Sequence, residues 1–148
     1  MEKISVRWAR KSDMEFILVA LGDVARSSRQ RLKNRDALAR RLRKECFGAR
    51  ARGRILIASS GGRGVGLLLY GHSYFASSGE ALWVSQLYVI KEMRGKGVAG
   101  KLWKALAALN RRATYAHWVA DIKNKGAQKH FRKLGAKHGK YLYFYNKL

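Results

Sequence analysis

The chain has 148 residues, and its 32 Lys and Arg against 9 Asp and Glu give a formal net charge of +23. This length fits one domain, and 47% hydrophobic residues suffice for a buried core, which excludes a charge-driven disordered chain. No apolar run is long enough for a membrane span, and the first twenty residues lack a signal-peptide layout. The single cysteine, Cys46, excludes an internal disulfide and a cysteine-based zinc site. We therefore expect one cytoplasmic domain over residues 1–148.

The charge predicts an anionic partner, because a basic surface attracts polyanions and repels polycations. Nine acidic residues leave little to build the carboxylate-lined cleft that a polyamine or aminoglycoside acceptor needs. The basic region from Arg26 to Arg54 holds twelve Lys and Arg and only two acidic residues, Asp36 and Glu45. This region could bind RNA, DNA or a ribonucleoprotein. The charge could also serve solubility alone, so both interpretations remain open.

The first predicted elements are a strand and a helix. Apolar residues alternate from Ile4 to Trp8, which is typical of a strand. Ser12 followed three residues later by Glu15 has the spacing of a capping box. Apolar residues at helical spacing extend this first helix to about Gly22 or Arg26.

The middle of the chain changes from a helical to a strand-like period. An apolar residue every four positions predicts a cationic helix with a thin apolar stripe, formed by Leu38, Leu42 and Cys46. Apolar runs separated by Gly and Ser turns then predict three consecutive antiparallel strands, over residues 55–58, 65–75 and 80–90.

The last third of the sequence alternates helices and strands. Apolar spacing predicts a helix from Val98 to Leu109, followed by a strand over residues 114–121. Asn124 is expected to cap a further helix that ends at Gly135, before an aromatic strand over residues 141–145. The whole pattern predicts an α+β fold, a mixed but mostly antiparallel central sheet of six to seven strands flanked by about four helices.

The segment from Leu87 to Gly100 carries the clearest chemical signal. A strand leads into a basic loop, Arg94-Gly95-Lys96-Gly97, which opens directly into an amphipathic helix. Backbone N–H groups of such a loop, together with the helix N-terminus, form an anion-binding cradle. The loop lacks the Gly-Lys-Ser/Thr of a Walker motif and the third glycine of a dinucleotide fingerprint.

Two motifs resemble those of the GNAT superfamily of N-acyltransferases. The acyl-CoA-binding pattern of that family is Arg/Gln-x-x-Gly-x-Gly/Ala, and the loop is similar to it from Arg94 to Ala99. The stretch from Asn124 to Ala136 resembles the second family signature, Asn-x-x-Ala-x-x-Phe-Tyr-x-x-x-Gly-Phe. The resemblance implies the GNAT fold and transfer of an acetyl group from acetyl-CoA to a primary amine by direct attack in a ternary complex.

The resemblance also implies which residues bind acetyl-CoA. The pyrophosphate would lie on the backbone of the loop, at Arg94, Gly95, Lys96, Gly97, Val98 and Ala99. The pantetheine arm would pair with the preceding strand between two splayed parallel strands, at Leu87, Tyr88 and Val89. Asn124 would approach the pantetheine or acyl end with Phe131 beside it, although Asn124 could also simply cap its helix.

The sequence departs from the family at both usual proton-transfer positions. Where many members have a carboxylate before the Leu-Tyr-Val stretch, this chain has Ser85 and Gln86, and Arg132 replaces the tyrosine of the second motif. At pH 7 an α-amine is about 10–15% neutral, whereas a lysine is only about 0.04% neutral. A site without a strong base therefore favours an α-amine, such as that of an aminoacyl-tRNA or a ribosomal protein.

Other residues remain as candidates for the missing proton transfers. Tyr143 could donate a proton to the departing CoA thiolate, and His117 is an alternative base on the strand opposite Ser85. The four histidines have no metal-ligand spacing, so we expect no metal. A catalytically impaired GNAT-like protein that binds nucleic acid is the alternative function, and the oligomeric state stays open, a homodimer included.

Overall fold

The computed structural model describes residues 2–140, 142–144 and 146–147. The chain divides into two compact units, Met1–Trp118 and Val119–Leu148. The expectation of one domain over the whole chain stays a prediction, and each unit is described by itself below.

Most of the secondary structure lies in the first unit. Its helices and strands follow the predicted order: β1 Ser5–Trp8, α1 Met14–Ser27, α2 Arg35–Phe47, β2 Gly53–Ser60, β3 Arg63–Phe75, β4 Gly79–Val89, α3 Val98–Leu109 and β5 Tyr115–His117. Short 3-10 turns precede α1 at Lys11–Asp13 and follow β4 at Lys91–Met93. The second unit contains α4, Lys125–Lys133.

The described strands form one five-stranded sheet in the order β1-β2-β3-β4-β5. All neighbours are antiparallel except β4 and β5, so the predicted mixed, mostly antiparallel sheet with four helices is confirmed. The strand number is lower than six to seven. Within the predicted last strand, residues 142–144 form no strand and their side chains are exposed, while Tyr141 and Tyr145 lie outside the described residues.

Alternate residues of the central strands face two hydrophobic clusters. On one face, Leu68 and Val84 pack with Leu102 and Leu106 of α3. This close packing needs a glycine at position 66, where a Cβ atom would lie 2.9 Å from the Val98 side chain. On the other face, α1 and α2 cover the sheet through buried residues such as Ile17, Leu42, Ile57 and Leu67.

The predicted capping box at Ser12 and Glu15 is wrong. The residue that organises the start of α1 is Asp13, whose carboxylate accepts the backbone N–H of Arg10 at 2.6 Å. Both carboxylate oxygens also accept hydrogen bonds from the Arg7 guanidinium, at 2.7 and 2.8 Å. This pair joins β1 to the start of α1, a contact that local spacing does not reveal.

Two asparagines, Asn34 and Asn124, cap the N-termini of α2 and α4 through their side chains. The Asn34 side chain accepts the N–H of Ala37 at the start of α2. In the second unit, the Asn124 side chain accepts the N–H of Ala127 at 3.0 Å, which confirms its predicted capping of α4. Gly135 follows α4 with a φ of 86°, as expected of a glycine just beyond a helix.

Candidate functional site

The loop between β4 and α3 is held in a conformation that requires glycine. Gly95 and Gly97 have φ values of 75° and 80°, in the left-handed region that other residues rarely adopt. The Arg94 Nε atom donates a hydrogen bond to the carbonyl of Val89 at 3.1 Å, which ties the loop to the end of β4. Gly97 is the N-cap of α3, so the loop leads straight into the helix N-terminus.

The backbone amides at this helix start are available to a ligand. The first intrahelical bond runs from the Lys101 N–H to the Gly97 carbonyl, and no side chain among the described residues caps the helix. A Cβ atom at Gly95 or Gly97 would meet no atom within 4 Å. The space above both glycines is therefore open, and the arrangement fits a phosphate group.

Three exposed cations, Arg94, Lys96 and Lys101, lie on this loop and the first turn of α3. Their charges add to the partial positive charge of the α3 N-terminus, so the cradle attracts an anion more strongly than free amides alone. A doubly charged pyrophosphate suits both the amides and the cations.

The strands β4 and β5 separate beyond a short paired segment. Parallel pairing joins Ala81–Trp83 of β4 to Tyr115–His117 of β5 and goes no further. On that side of β4, no strand among the described residues pairs with the backbone from Val84 to Val89. This leaves an edge that an extended chain with amide groups can pair with, and it includes the predicted pantetheine residues Leu87, Tyr88 and Val89.

The Tyr88 side chain points away from this edge into the core. Its hydroxyl donates a hydrogen bond to a carboxylate oxygen of Asp23 on α1 at 2.5 Å. Burial and this contact raise the pKa of Tyr88 to about 12, so the phenol stays protonated at neutral pH. Asp23 also pairs with Arg26. Only the backbone of Tyr88 can therefore contact a ligand on the open side of β4.

A cleft of about 550 Å³ lies between α1, α2 and the face of β3 and β4. Its walls are mainly apolar, formed by residues such as Leu21, Val24, Leu38, Leu42, Leu69 and Trp83. The predicted catalytic residues Ser85 and Gln86 both line it. Ser85 occupies a bulge, because Gln86 pairs with Leu69 while Val84 pairs with Tyr70. The Ser85 hydroxyl donates to the Leu69 carbonyl at 3.2 Å.

One carboxylate that the motifs do not identify also lines the cleft. Glu45 of α2 accepts a hydrogen bond from the Arg52 Nε atom at 2.7 Å. The Arg52 guanidinium holds the pKa of the Glu45 carboxyl below its usual range, so this group is an anion rather than a proton donor at neutral pH. Arg41 adds a second cation to the same wall. Burial raises the pKa of the neighbouring Cys46 thiol, which keeps it protonated.

His117 lies beside the cleft on β5, paired in register with Trp83 of the strand that carries Ser85. Its Nε2 atom is 2.9 Å from the Ser73 hydroxyl, and its ring contacts Trp83 edge-on with centroids 4.9 Å apart. Burial lowers the pKa of His117, so the imidazole is neutral at pH 7. The neutral imidazole could accept a proton, as the predicted role of a base requires. Its Nε2 atom, however, is already in contact with the Ser73 hydroxyl.

The remaining predicted site residues belong to the second unit. Asn124 and Phe131 lie at the start and within α4, and the Tyr143 side chain is 65% exposed. Their roles toward acetyl-CoA stay predictions. Among the described residues, no group of three His, Cys, Asp or Glu side chains could hold a metal ion. None of the helices that these residues form is long and apolar enough to cross a membrane.

Comparison with known proteins identifies the family. The model of the acetyltransferase (GNAT) family matches residues 18–136, most of the chain, and the chain belongs to this family. The matched residues include the loop from Arg94 to Ala99 and the predicted second motif from Asn124 to Ala136. No sequence among the curated proteins matches the chain.

Solved structures of acetyltransferases share the fold. A possible acetyltransferase from Clostridium difficile 630 has a TM-score of 0.85 and 19% identity, covering 99% of each chain. A ribosomal-protein-alanine N-acetyltransferase from Brucella melitensis biovar Abortus 2308 has a TM-score of 0.78 and 19% identity, again covering 99% of each. An aminoglycoside N-acetyltransferase in complex with CoA has a TM-score of 0.82 and 18% identity, covering 99% of this chain and 96% of its own.

Proposed function

We propose that this acetyltransferase moves the acetyl group of acetyl-CoA to a primary α-amine carried by a nucleic acid or a ribonucleoprotein, such as an aminoacyl-tRNA. The amine nitrogen attacks the thioester carbonyl carbon, the C–N bond forms, and the C–S bond breaks. The amine loses one proton, and CoA leaves as its thiol. The single observation that carries the donor half of this proposal is the open glycine cradle at the start of α3.

The donor half rests on three neighbouring features of the first unit. The cradle supplies amides and cations for a pyrophosphate, and the edge of β4 beyond Trp83 can pair with the amide groups of the pantetheine arm. Ser85 and Gln86 lie on the same strand and line the cleft, so an acetyl group at the end of that arm would face the cleft. Acetyl-CoA is a substrate in this account, and no metal takes part.

The acceptor half rests on the chemistry of the cleft. Neither Ser85 nor Gln86 can take a proton at neutral pH, and the Glu45 carboxylate is already paired with Arg52. Attack requires a neutral amine, and an α-amine is neutral far more often than a lysine side chain at pH 7. Positioning of such an amine, with a water molecule to accept its proton, is enough for transfer.

The surface charge supports a polyanion as the carrier of the amine. All twelve Lys and Arg from Arg26 to Arg54 are exposed. Only three of them form ion pairs within the described part of the chain, with Asp23, Glu15 and Glu45. The unpaired cations flank the cleft through α2, where they could contact RNA phosphates while the amine enters the cleft.

The proposal is tested by measuring CoA release from acetyl-CoA against total aminoacyl-tRNA, ribosomes and a panel of free amines. We expect release with α-amine acceptors and acetylation at the α-nitrogen, identified by mass spectrometry. Transfer to lysine side chains at ordinary enzyme rates would contradict the α-amine assignment. Acetyl-CoA binding without CoA release from any acceptor would instead support the alternative, a GNAT-fold protein that binds nucleic acid without catalysis.

A further inference from the structure

A row of aromatic side chains continues from the cleft along one face of the sheet. Trp83 lines the cleft and contacts His117, whose ring centroid lies 5.5 Å from that of Phe75 and 5.8 Å from that of Tyr115. The Phe75 and Tyr115 rings are themselves 6.1 Å apart. We call these four residues the aromatic strip.

Two of the four side chains of the aromatic strip are more exposed than a structural role requires. Phe75 and Tyr115 are 40% and 42% exposed, although large apolar side chains in strands usually pack against a covering layer. The helices α1 and α2 cover the neighbouring part of this face, around Leu67 and Tyr88, but not the strip. The strip is therefore a set of partly exposed rings, set at angles to one another, that begins at the wall of the cleft.

Cations lie beside the strip at the cleft. Gly71 of β3 is paired with Trp83, and the backbone of Arg52 approaches Gly71 so closely that a Cβ there would be 3.2 Å from the Arg52 carbonyl. Arg41 and Arg52 line the same cleft as Trp83, and the Arg52 guanidinium there is paired with Glu45. Flat rings beside exposed arginines are the combination that binds single-stranded nucleic acid, with bases stacked on rings and phosphates paired with guanidinium groups.

We infer that the aromatic strip stacks the bases of a single-stranded RNA end whose terminal amine enters the cleft. This inference rests on the proposed function for the identity of the amine, and it adds the site that recognises the RNA. The neutral state of His117 suits it, because a neutral imidazole stacks without the cost of desolvating a charge. Aromatic and arginine side chains are also common at protein–protein interfaces, so the experiments below test RNA against contact between copies of the chain.

The chain offers a matched control on the same strand. Tyr74 is 75% exposed and lies next to Phe75, but alternation along β3 directs it to the opposite face of the sheet. Removing the Tyr74 ring therefore removes an amount of exposed aromatic surface comparable to that of Phe75 and Tyr115 together, and it leaves the strip intact. The test variants are Phe75→Ala with Tyr115→Ala as a double change, and Tyr74→Ala as the control.

The first arm of the test measures binding of a fluorescein-labelled single-stranded RNA pentamer by anisotropy. We expect the double variant to bind about tenfold more weakly and Tyr74→Ala to bind as the wild type does. Phe75→Trp should retain affinity, because a larger ring still stacks. Wild-type affinity in a folded double variant would overturn the inference, and so would an equal loss in Tyr74→Ala.

The second arm compares two acceptors that share one amine, phenylalanyl-tRNA and phenylalanine methyl ester. We expect the double variant to raise KM for the tRNA about tenfold and to leave kinetics with the ester unchanged. If neither acceptor is acetylated but RNA binding still depends on the strip, the proposed function fails while stacking of RNA bases on the strip stands. A change of oligomeric state in the double variant, seen by sedimentation velocity, would overturn the inference in favour of contact between copies of the chain.

Discussion

At the scale of single residues, Gly97 combines the two properties on which the donor site depends. Its left-handed backbone turns the loop into α3, and its missing side chain leaves the cradle open. A side chain here would both strain the backbone and fill the space for the phosphate. Gly62 has a similar φ of 75° and open surroundings, but it lies in the turn between β2 and β3. A side chain at Gly62 strains the backbone without filling the cradle, so it separates backbone strain from loss of the phosphate space.

The variant Gly97→Glu should therefore lose acetyl-CoA binding, whereas Gly62→Glu should keep it. Both substitutions carry the same side chain and about 1–3 kcal/mol of backbone strain. The melting temperature measured with and without acetyl-CoA distinguishes them. We expect a ligand-induced increase for the wild type and Gly62→Glu and none for Gly97→Glu; an undiminished shift in Gly97→Glu would exclude the cradle as the donor site.

A second residue-scale prediction concerns the Asp13 carboxylate and pH. The hydrogen bonds from Arg7 lower the pKa of Asp13 below its usual value. The native protein then takes up this proton less readily than the unfolded chain, so the stabilisation is complete above about pH 4 and disappears as the pH falls through the lowered pKa. Asp13→Asn should cost about 1–3 kcal/mol at pH 7 and much less near pH 2.

Urea unfolding at both pH values measures this difference. The exposed Asp36 in the first turn of α2 provides the control, and Asp36→Asn should change stability by less than about 1 kcal/mol at either pH. A deficit in Asp13→Asn that is the same at pH 2 and pH 7 would show that the charge of Asp13 does not stabilise the fold.

At the scale of elements, α2 divides into a buried stripe and a cationic surface. Ala39 and Leu42 are buried against the sheet, while all of the basic residues of the helix face solvent. The stripe packs the helix on the sheet, and apart from Arg35, which pairs with Glu15, its basic residues form no ion pair within the described part of the chain. Arg40, Arg43 and Lys44 are exposed and do not line the cleft, so they can be changed without altering its walls.

The triple change of Arg40, Arg43 and Lys44 to Glu should weaken tRNA binding and lower its salt dependence. Each lost phosphate contact reduces the slope of log K against log salt by roughly 0.7–0.9. The control is the triple change of Lys104, Arg111 and Arg112 to Glu, three exposed cations on α3 and in the turn after it, where α3 packs on the other face of the sheet. Anisotropy titrations from 50 to 200 mM KCl measure both; an equal loss in the control would indicate nonspecific attraction by net charge.

At the scale of the whole molecule, local patterns in the sequence predict the sheet well and its long-range contacts poorly. The apolar run over residues 55–58 predicts β2, and the glycines of the segment from Arg94 to Ala99 predict the loop before α3. The start of α1 could not be predicted, because Asp13 there pairs with Arg7, a residue of β1. The pairs Tyr88–Asp23 and Arg52–Glu45 likewise exist only after α1 and α2 pack on the sheet.

Of these long-range pairs, Arg52–Glu45 forms part of the cleft wall. The sequence alone identifies Ser85 and Gln86 as departures from the family pattern, but not the Glu45 carboxylate or the row of rings beside them. Cross-strand neighbours depend on register and on the bulge at Ser85, and neither follows from composition or periodicity. The net charge of +23 thus predicts an anionic partner. Only the fold shows where the rings and cations that would bind this partner lie.

Whether the enzyme needs an RNA carrier is decided by acetyl transfer from labelled acetyl-CoA to phenylalanyl-tRNA and to phenylalanine methyl ester, measured at 50 and 200 mM KCl. Contacts to several phosphates make tRNA affinity fall by orders of magnitude over this range, whereas a small amine has no phosphates to lose. We predict that kcat/KM for the tRNA falls at least tenfold while that for the ester changes less than about threefold. Acetylation of the ester with none of the tRNA at either salt concentration would show that the acceptor is not linked to RNA.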